Sequence, residues 1–261
     1  MGDSMVETVK TDSFEMDYIR FGAGKRTLVI IPGLSLKSTL RSEKSIEAAY
    51  ESLTDTFTIY LFDRRKEFDA SYSLIQMARD TAEAIRAAGL TRICLFGTSQ
   101  GGMLCQYIAI ENPDLVEKMV LGSSACRISD SRVASEWLEF AENGKSEELI
   151  CSFIDNCYSR PVPAEYKAPL IAFFGEVTQD ELRRFTIQLR ALKGFDIYDG
   201  LSKIKCPVLV IGSWQDKVLP PESSVDIARK LSCDLFMYSG YGHAVYDEAP
   251  DYKKKLLDFL K

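Results

Sequence analysis

The chain holds 261 residues, with 46% apolar, 11% aromatic and 27% charged side chains, and 32 Lys+Arg against 38 Asp+Glu leave a net charge of −6. That size and composition suit one large globular domain or one domain with an insertion, and exclude a disordered, collagen-like or disulfide-framework protein. The acidic balance supplies no bulk basic field for phosphate neutralisation, so no nucleic acid partner is expected.

The first ten residues, MGDSMVETVK, are polar and lack the apolar stretch of a secretory signal. Val6 stands where a myristoylation signal asks for Ser or Thr. Two short β-rich runs, 6–10 and 14–21, are spaced to pair as an antiparallel hairpin. A different rhythm follows, with nearly continuous apolar runs at 27–31, 58–62, 93–96, 118–121, 208–211 and 235–238. Such runs fit strands buried on both faces. Between them lie helical patterns. Over 73–90, Leu74, Met77, Ala78, Thr81, Ala82 and Ile85 recur at helical spacing until Gly89 stops the pattern. The alternation predicts an α/β protein whose mostly parallel sheet is flanked by helices.

One stretch breaks the rhythm. From 126 to 199 no convincing strand is visible, and helices are expected over 133–141, 146–157, 164–173 and 179–192, with Pro161, Pro163 and Gly175 between them. We therefore expect a sheet core over 1–125 and 200–261, with 126–199 inserted as a helical cap whose aromatics line a pocket in part. The Lys253-Lys254-Lys255 run reads as the wet face of a C-terminal helix. The seven cysteines form no CxxC pair, so neither a zinc cluster nor a redox dithiol is written, and no metal or organic cofactor is expected. Residues 28–31 are far too short a run to span a bilayer. The expectation is a soluble cytoplasmic protein with reduced thiols and no stable membrane association.

Gly97-Thr98-Ser99-Gln100-Gly101 matches G-x-S-x-G. Chance produces such a match in about one chain of this kind in eleven, so its setting must decide. A strand ends immediately before it and a helical pattern over 103–111 follows, the strand–turn–helix setting of a nucleophile elbow. The flanking glycines let neighbouring backbone pass the projecting hydroxyl. A Gly-rich strand-to-helix turn without chemistry is the alternative. A serine hydroxyl needs a base, and the chain has a single histidine, His243, in a glycine-rich loop after the last strand. The base needs an acid to fix its tautomer, and Asp216, after the strand at 208–211, is the choice. Asp130 is the rival, and a turn or N-cap carboxylate ahead of Pro220-Pro221 is the other reading of Asp216. Oxyanion donors are expected from the backbone N–H of Gln100 and of Leu34, since Pro32 has none and Gly33 permits the turn. Trp214 and Tyr241 flank the proposed acid and base and are expected to border the substrate.

With IPGLS, LFDRR, FGTSQGG, IGSWQDKVLPPE and GYGHAVYDEAP in place, the chain resembles the α/β-hydrolase fold superfamily, of the capped Ser-His-Asp kind, over nearly its whole length. The resemblance implies about eight strands, the second antiparallel, triad residues in the order Ser99, Asp216, His243, and hydrolysis through an acyl-enzyme. There are departures. Many relatives carry His-Gly where this chain has Pro32-Gly33. Asp63-Arg64-Arg65 continues into Lys66 and Glu67 where relatives often have Gly, and Asp63 reads as a turn residue. Ser at the nucleophile position disfavours dehalogenases and epoxide hydrolases. The expected activity is cleavage of an ester of a small to medium apolar acid, a small-molecule acyl substrate. Thioester, lactone, amide and carbon–carbon bond cleavage, lyase or perhydrolase chemistry, and a non-catalytic ligand-binding or regulatory role on the same fold stay open.

Overall fold

The apolar runs assemble, in a computed structural model that describes residues 6–128, 131–160, 171 and 174–261, into one sheet. Among the described residues it has eight strands. They are β1 (Val6–Lys10), β2 (Glu15–Phe21), β3 (Arg26–Ile31), β4 (Phe57–Arg65), β5 (Ile93–Thr98), β6 (Val116–Gly122), β7 (Val208–Ser213) and β8 (Asp234–Tyr238). Their order across the sheet is β1-β2-β4-β3-β5-β6-β7-β8. β2 runs antiparallel to both β1 and β4, and the remaining pairings are parallel. The expected hairpin and the expected mostly parallel sheet are both present.

β5 shows why these residues make this sheet. Every residue in it is buried. Ile93 and Leu95 enter one hydrophobic cluster, while Cys94 and Phe96 enter the other. A period of two with apolar residues on both phases requires cover on both faces. α2 (Leu74–Ala87) and α3 (Gln100–Glu111) cover the first face, joined by α7 (Pro221–Leu231). The second face is closed by the turns around Tyr50 and Leu53, which follow α1 (Glu43–Ala49), and by α8 (Val245–Glu248) and α9 (Tyr252–Leu260). α2 begins where the Ser73 hydroxyl accepts the Gln76 N–H at 3.3 Å, and it is followed by Gly89 at φ +76°.

β4 is longer than its apolar run predicts. Met16 of β2 pairs with Arg65, so the ladder carries the strand through Asp63 and Arg64. Asp63 is thus a strand residue rather than a turn residue. The consequence is positional, because the extension brings Arg64 beside the loop after β3.

The helical segment lies between β6 and β7. It contains α4 (Arg132–Glu142), α5 (Ser146–Cys157) and α6 (Gln179–Arg190), while most of the helix expected over 164–173 lies outside the described residues. The chain enters and leaves side by side: Ile128 N–H donates to Phe195 O at 2.9 Å, and Ile197 N–H to Cys126 O at 2.8 Å. The three helices share a cluster of their own, which includes Val133, Trp137, Ile154 and Phe185 and meets Leu36 and Ala244 of the sheet body. Trp137 stacks on Phe153 with ring centroids 4.8 Å apart and donates its indole N–H to Ser152 Oγ at 3.1 Å. α6 opens with a reciprocal capping box between Thr178 and Glu181.

Candidate active site

Ser99 sits on the turn from β5 to α3 with φ 51° and ψ −124°, a left-handed backbone that non-glycine residues rarely hold. Three bonds keep it there. Its N–H donates to Gly122 O at 2.8 Å, and its carbonyl accepts from Ser124 Oγ at 2.9 Å and Met103 N at 3.3 Å. The motif glycines are demanded by space. A Cβ on Gly97 would stand 2.6 Å from Gly101 O, and one on Gly101 would stand 2.5 Å from Pro32 O and closer still to Ile31 O.

The loop after β3 packs against this turn. A Cβ on Gly33 would lie 3.0 Å from Ser99 Cβ and 3.7 Å from Ser99 Oγ. Leu34, next in the loop, gives its N–H to no acceptor among the described residues. Gln100, as the first residue of α3, has no intrahelical acceptor for its N–H.

His243 follows β8 and is 3% exposed. Its Nδ1 lies 2.7 Å from Asp216 Oδ2, and both side chains are 4% exposed. The other Asp216 oxygen accepts the N–H groups of Val218 and Leu219, each at 2.9 Å. Asp216 is therefore held by backbone on one side and by imidazole on the other. The rival Asp130 lies outside the described residues. Ser99 and His243 line one cavity together with Gly33, Leu34 and Gln100. Met103, Trp137, Phe153, Leu189, Leu219 and Tyr246 also line it and make the lining largely apolar. Cys157 also borders this cavity, but burial pushes its thiol up, and nearby Asp216 and Asp247 push further, so it stays neutral and unreactive.

Two expected binding residues are elsewhere. Trp214 is 50% exposed and absent from this lining. Tyr241 packs edge-on against Tyr238, with centroids 5.6 Å apart, and is likewise absent from the lining. Adjacency to the acid and the base in sequence did not make either ring a neighbour of the cavity. Tyr246, three residues beyond His243, takes that place instead. A residue one helical turn after the histidine was the available signal.

Arg64 gave no such signal, since a charged residue at a strand's end reads as solvated. It is 4% exposed and donates to Pro32 O at 3.0 Å and to Gln100 Oε1 at 3.1 Å. Burial lowers its guanidinium pKa from the ordinary value, and Asp63 opposes that shift. The Gln100 amide passes the connection on to Gln188 O of α6 at 3.0 Å. Expected to matter through its backbone, Gln100 thus also bridges β4 to the helical insertion through its side chain.

Known proteins carry the same architecture. Residues 68–250 match the family Hydrolase_4, described as serine aminopeptidase, S33. A relative from Rhizobium rhizogenes, named "Putative carbamate hydrolase RutD", is 27% identical over 229 residues, covering 81% of this chain and 85% of its own. The crystal structure of MGS-M2, an α/β hydrolase from a Medee basin deep-sea metagenome library, superposes with TM-score 0.85 at 21% identity, over 97% of this chain and 96% of that one. The enol-lactonase from Burkholderia xenovorans LB400 superposes with TM-score 0.82 at 19% identity, over 97% of this chain and 99% of that one. The chain belongs to the serine aminopeptidase S33 (Hydrolase_4) family of α/β hydrolases and is an enzyme of the hydrolase class.

Proposed function

We propose that the protein is a serine hydrolase that cleaves a carboxylic ester or related acyl bond of a small to medium apolar substrate through an acyl-enzyme. The observation that carries this reading is the buried His243–Asp216 contact of 2.7 Å at a cavity whose wall His243 shares with Ser99. With Nδ1–H donated to Asp216, the Nε2 lone pair is free to accept the Ser99 proton. Ser99 Oγ attacks the acyl carbon, and the N–H groups of Leu34 and Gln100 stabilise the oxyanion. His243 returns the proton to the leaving group and then activates the water that releases the acid.

Residues 126–199 act as a cap over the core of 1–125 and 200–261, and the apolar lining from α4, α5 and α6 supports an apolar acyl group. The name carried by the curated relatives supports extending the bond class to carbamates, whose carbonyl undergoes the same addition. Seven free cysteines support a reducing, cytoplasmic setting for an enzyme acting on a small molecule.

Ser99→Ala is expected to lower kcat on p-nitrophenyl butyrate by about 10⁴–10⁶ while leaving thermal unfolding unchanged. Undiminished turnover in that variant would remove Ser99 from the nucleophile role. A serine-directed phosphonate that labels Ser99 in a protein inert toward a broad ester panel would favour the binding-protein alternative.

A further inference from the structure

Gly33 also lines a second, smaller pocket, formed by the loop after β3, the end of β4 and α6. Its chemistry is the reverse of the first, with Lys37, Thr39, Asp63, Arg64, Glu181 and Arg184 on its wall. The carboxylates there are already engaged. Glu181 accepts from Thr178 N at 2.8 Å and Arg41 at 3.0 Å, and stands 3.8 Å from Lys37 Nζ. Asp63 Oδ1 accepts the Arg64 backbone N–H at 2.7 Å.

The guanidinium groups are not matched in this way. Arg184 donates to the carbonyls of Lys66 and Arg65 and lies over the Phe68 ring at 4.3 Å. Arg64 donates to one carbonyl and one amide oxygen. Their bonded partners among the described residues are neutral. Two of these lining residues each bury a polar atom with no hydrogen-bond partner among the described residues: Arg64 Nε and Thr39 Oγ1. A buried orphan donor on a cation is costly, and both atoms can donate. The group that satisfies both offers two acceptor oxygens and a negative charge.

We propose that this second cavity is a carboxylate-binding subsite, in which Arg64 Nε–H and the Thr39 hydroxyl donate to the two oxygens of a carboxylate and Arg184 supplies the second positive charge. The carboxylate has two possible sources: a substrate that carries one and reaches past Gly33 from the Ser99 cavity, or a separate small acid. Only the first source rests on the serine hydrolase reading. Arg64 also holds the Pro32 carbonyl and the Gln100 side chain, so occupancy of this subsite bears directly on the wall that carries both proposed oxyanion donors.

The test is thermal unfolding of the full chain in sodium acetate against sodium chloride at equal ionic strength. Wild type and Ser99→Ala are expected to show the same acetate-specific rise in Tm. Thr39→Val, which keeps the shape and removes the hydroxyl, is expected to weaken acetate binding about tenfold, and Arg64→Lys, which removes Nε, at least as much. No acetate-specific shift in wild type, or an undiminished shift in Thr39→Val, overturns the proposal, and the valine variant keeps the test decisive if Arg64→Lys does not fold. The second arm compares KM for p-nitrophenyl hemisuccinate and p-nitrophenyl butyrate. A lower KM for the hemisuccinate that disappears in Thr39→Val assigns the carboxylate to the substrate. Equal KM values beside a Thr39-dependent acetate shift assign it to a separate acid. Because the acetate arm needs no turnover, an inert protein that still responds to acetate fails the hydrolase reading alone.

Discussion

A carboxylate that orients an imidazole has two oxygens to commit, and Asp216 divides them. Oδ1 is fixed by the N–H groups of Val218 and Leu219, which leaves Oδ2 for His243 Nδ1. Asp216→Asn is therefore a directional test. The amide oxygen replaces Oδ1 on the two backbone donors, and the NH₂ group turns to Nδ1, where it must donate. The ring is driven to the tautomer protonated on Nε2, which cannot take the Ser99 proton. kcat is expected to fall by about 10³–10⁴, with KM nearly unchanged and a Tm close to wild type. Full activity in this variant would detach Asp216 from the mechanism. At this scale the sequence was legible wherever chain geometry leaves little choice. Ser99 and His243 stand in glycine-rich turns after strands, where neighbouring residues dictate how the side chain projects. Trp214 and Tyr241 stand in similar turns, yet their rings follow tertiary packing, Tyr241 onto Tyr238 and Trp214 into solvent. Arg64 was illegible for a related reason: burial of a guanidinium depends on carbonyls supplied by Pro32 and Gln100, from two other elements.

Between elements, the closest approach at the site is α3 against the end of β3. Gly101 is the point of contact, because a Cβ there would press on the carbonyls of both Ile31 and Pro32. Helix propensity and packing make opposite predictions for Gly101→Ala. Propensity alone stabilises the change by about 1 kcal/mol, because glycine is a poor helix former. Sterics destabilises it by about 2–4 kcal/mol, since the obstacle is backbone rather than a flexible side chain. The larger effect decides, so the urea midpoint is expected to fall, and ester turnover with it, as the loop bearing Leu34 is displaced from Ser99. A midpoint equal to or above wild type would show that α3 can slide without cost. This element-level contact was foreshadowed by G-x-S-x-G, because the motif is local and its spacing encodes the steric demand. The extension of β4 was not foreshadowed. Asp63, Arg64 and Arg65 are strand residues because β2 pairs with them, and charge patterning within the run carries no trace of that partner.

Across the whole molecule, the sheet was legible because burial on both faces forces continuous apolar runs. The insertion was legible only as helices: its amphipathic periods survive in sequence, but which ring meets which is set by the cluster joining α4, α5 and α6. The cysteines belong to this scale too. They are free thiols, two of them (Cys151 and Cys157) on α5 and the rest in the sheet body, and burial raises Cys94, Cys126, Cys206 and Cys233 from the ordinary thiol value to about 11 each. The linkage sign follows. Between the ordinary thiol value of 9.0 and about 11, the native state keeps a proton that the unfolded state has lost. Stability contributed by these thiols is complete below that window and is lost as pH rises through it, by less than about 1.4 kcal/mol per pH unit for each thiol and by least for the half-buried Cys206 and Cys233, where solvent screens the charge. Tyr18, raised to about 12 mainly by burial, steepens the upper end of the same limb. Urea midpoints measured from pH 8 to 11 are therefore expected to fall, and Cys94→Ala, in which one buried thiol is removed from the core, is expected to show a shallower fall than wild type. Parallel curves for the two proteins would mean that Cys94 ionises alike in both states, and that its place beside Arg26 and the end of α9 offsets the cost of burial.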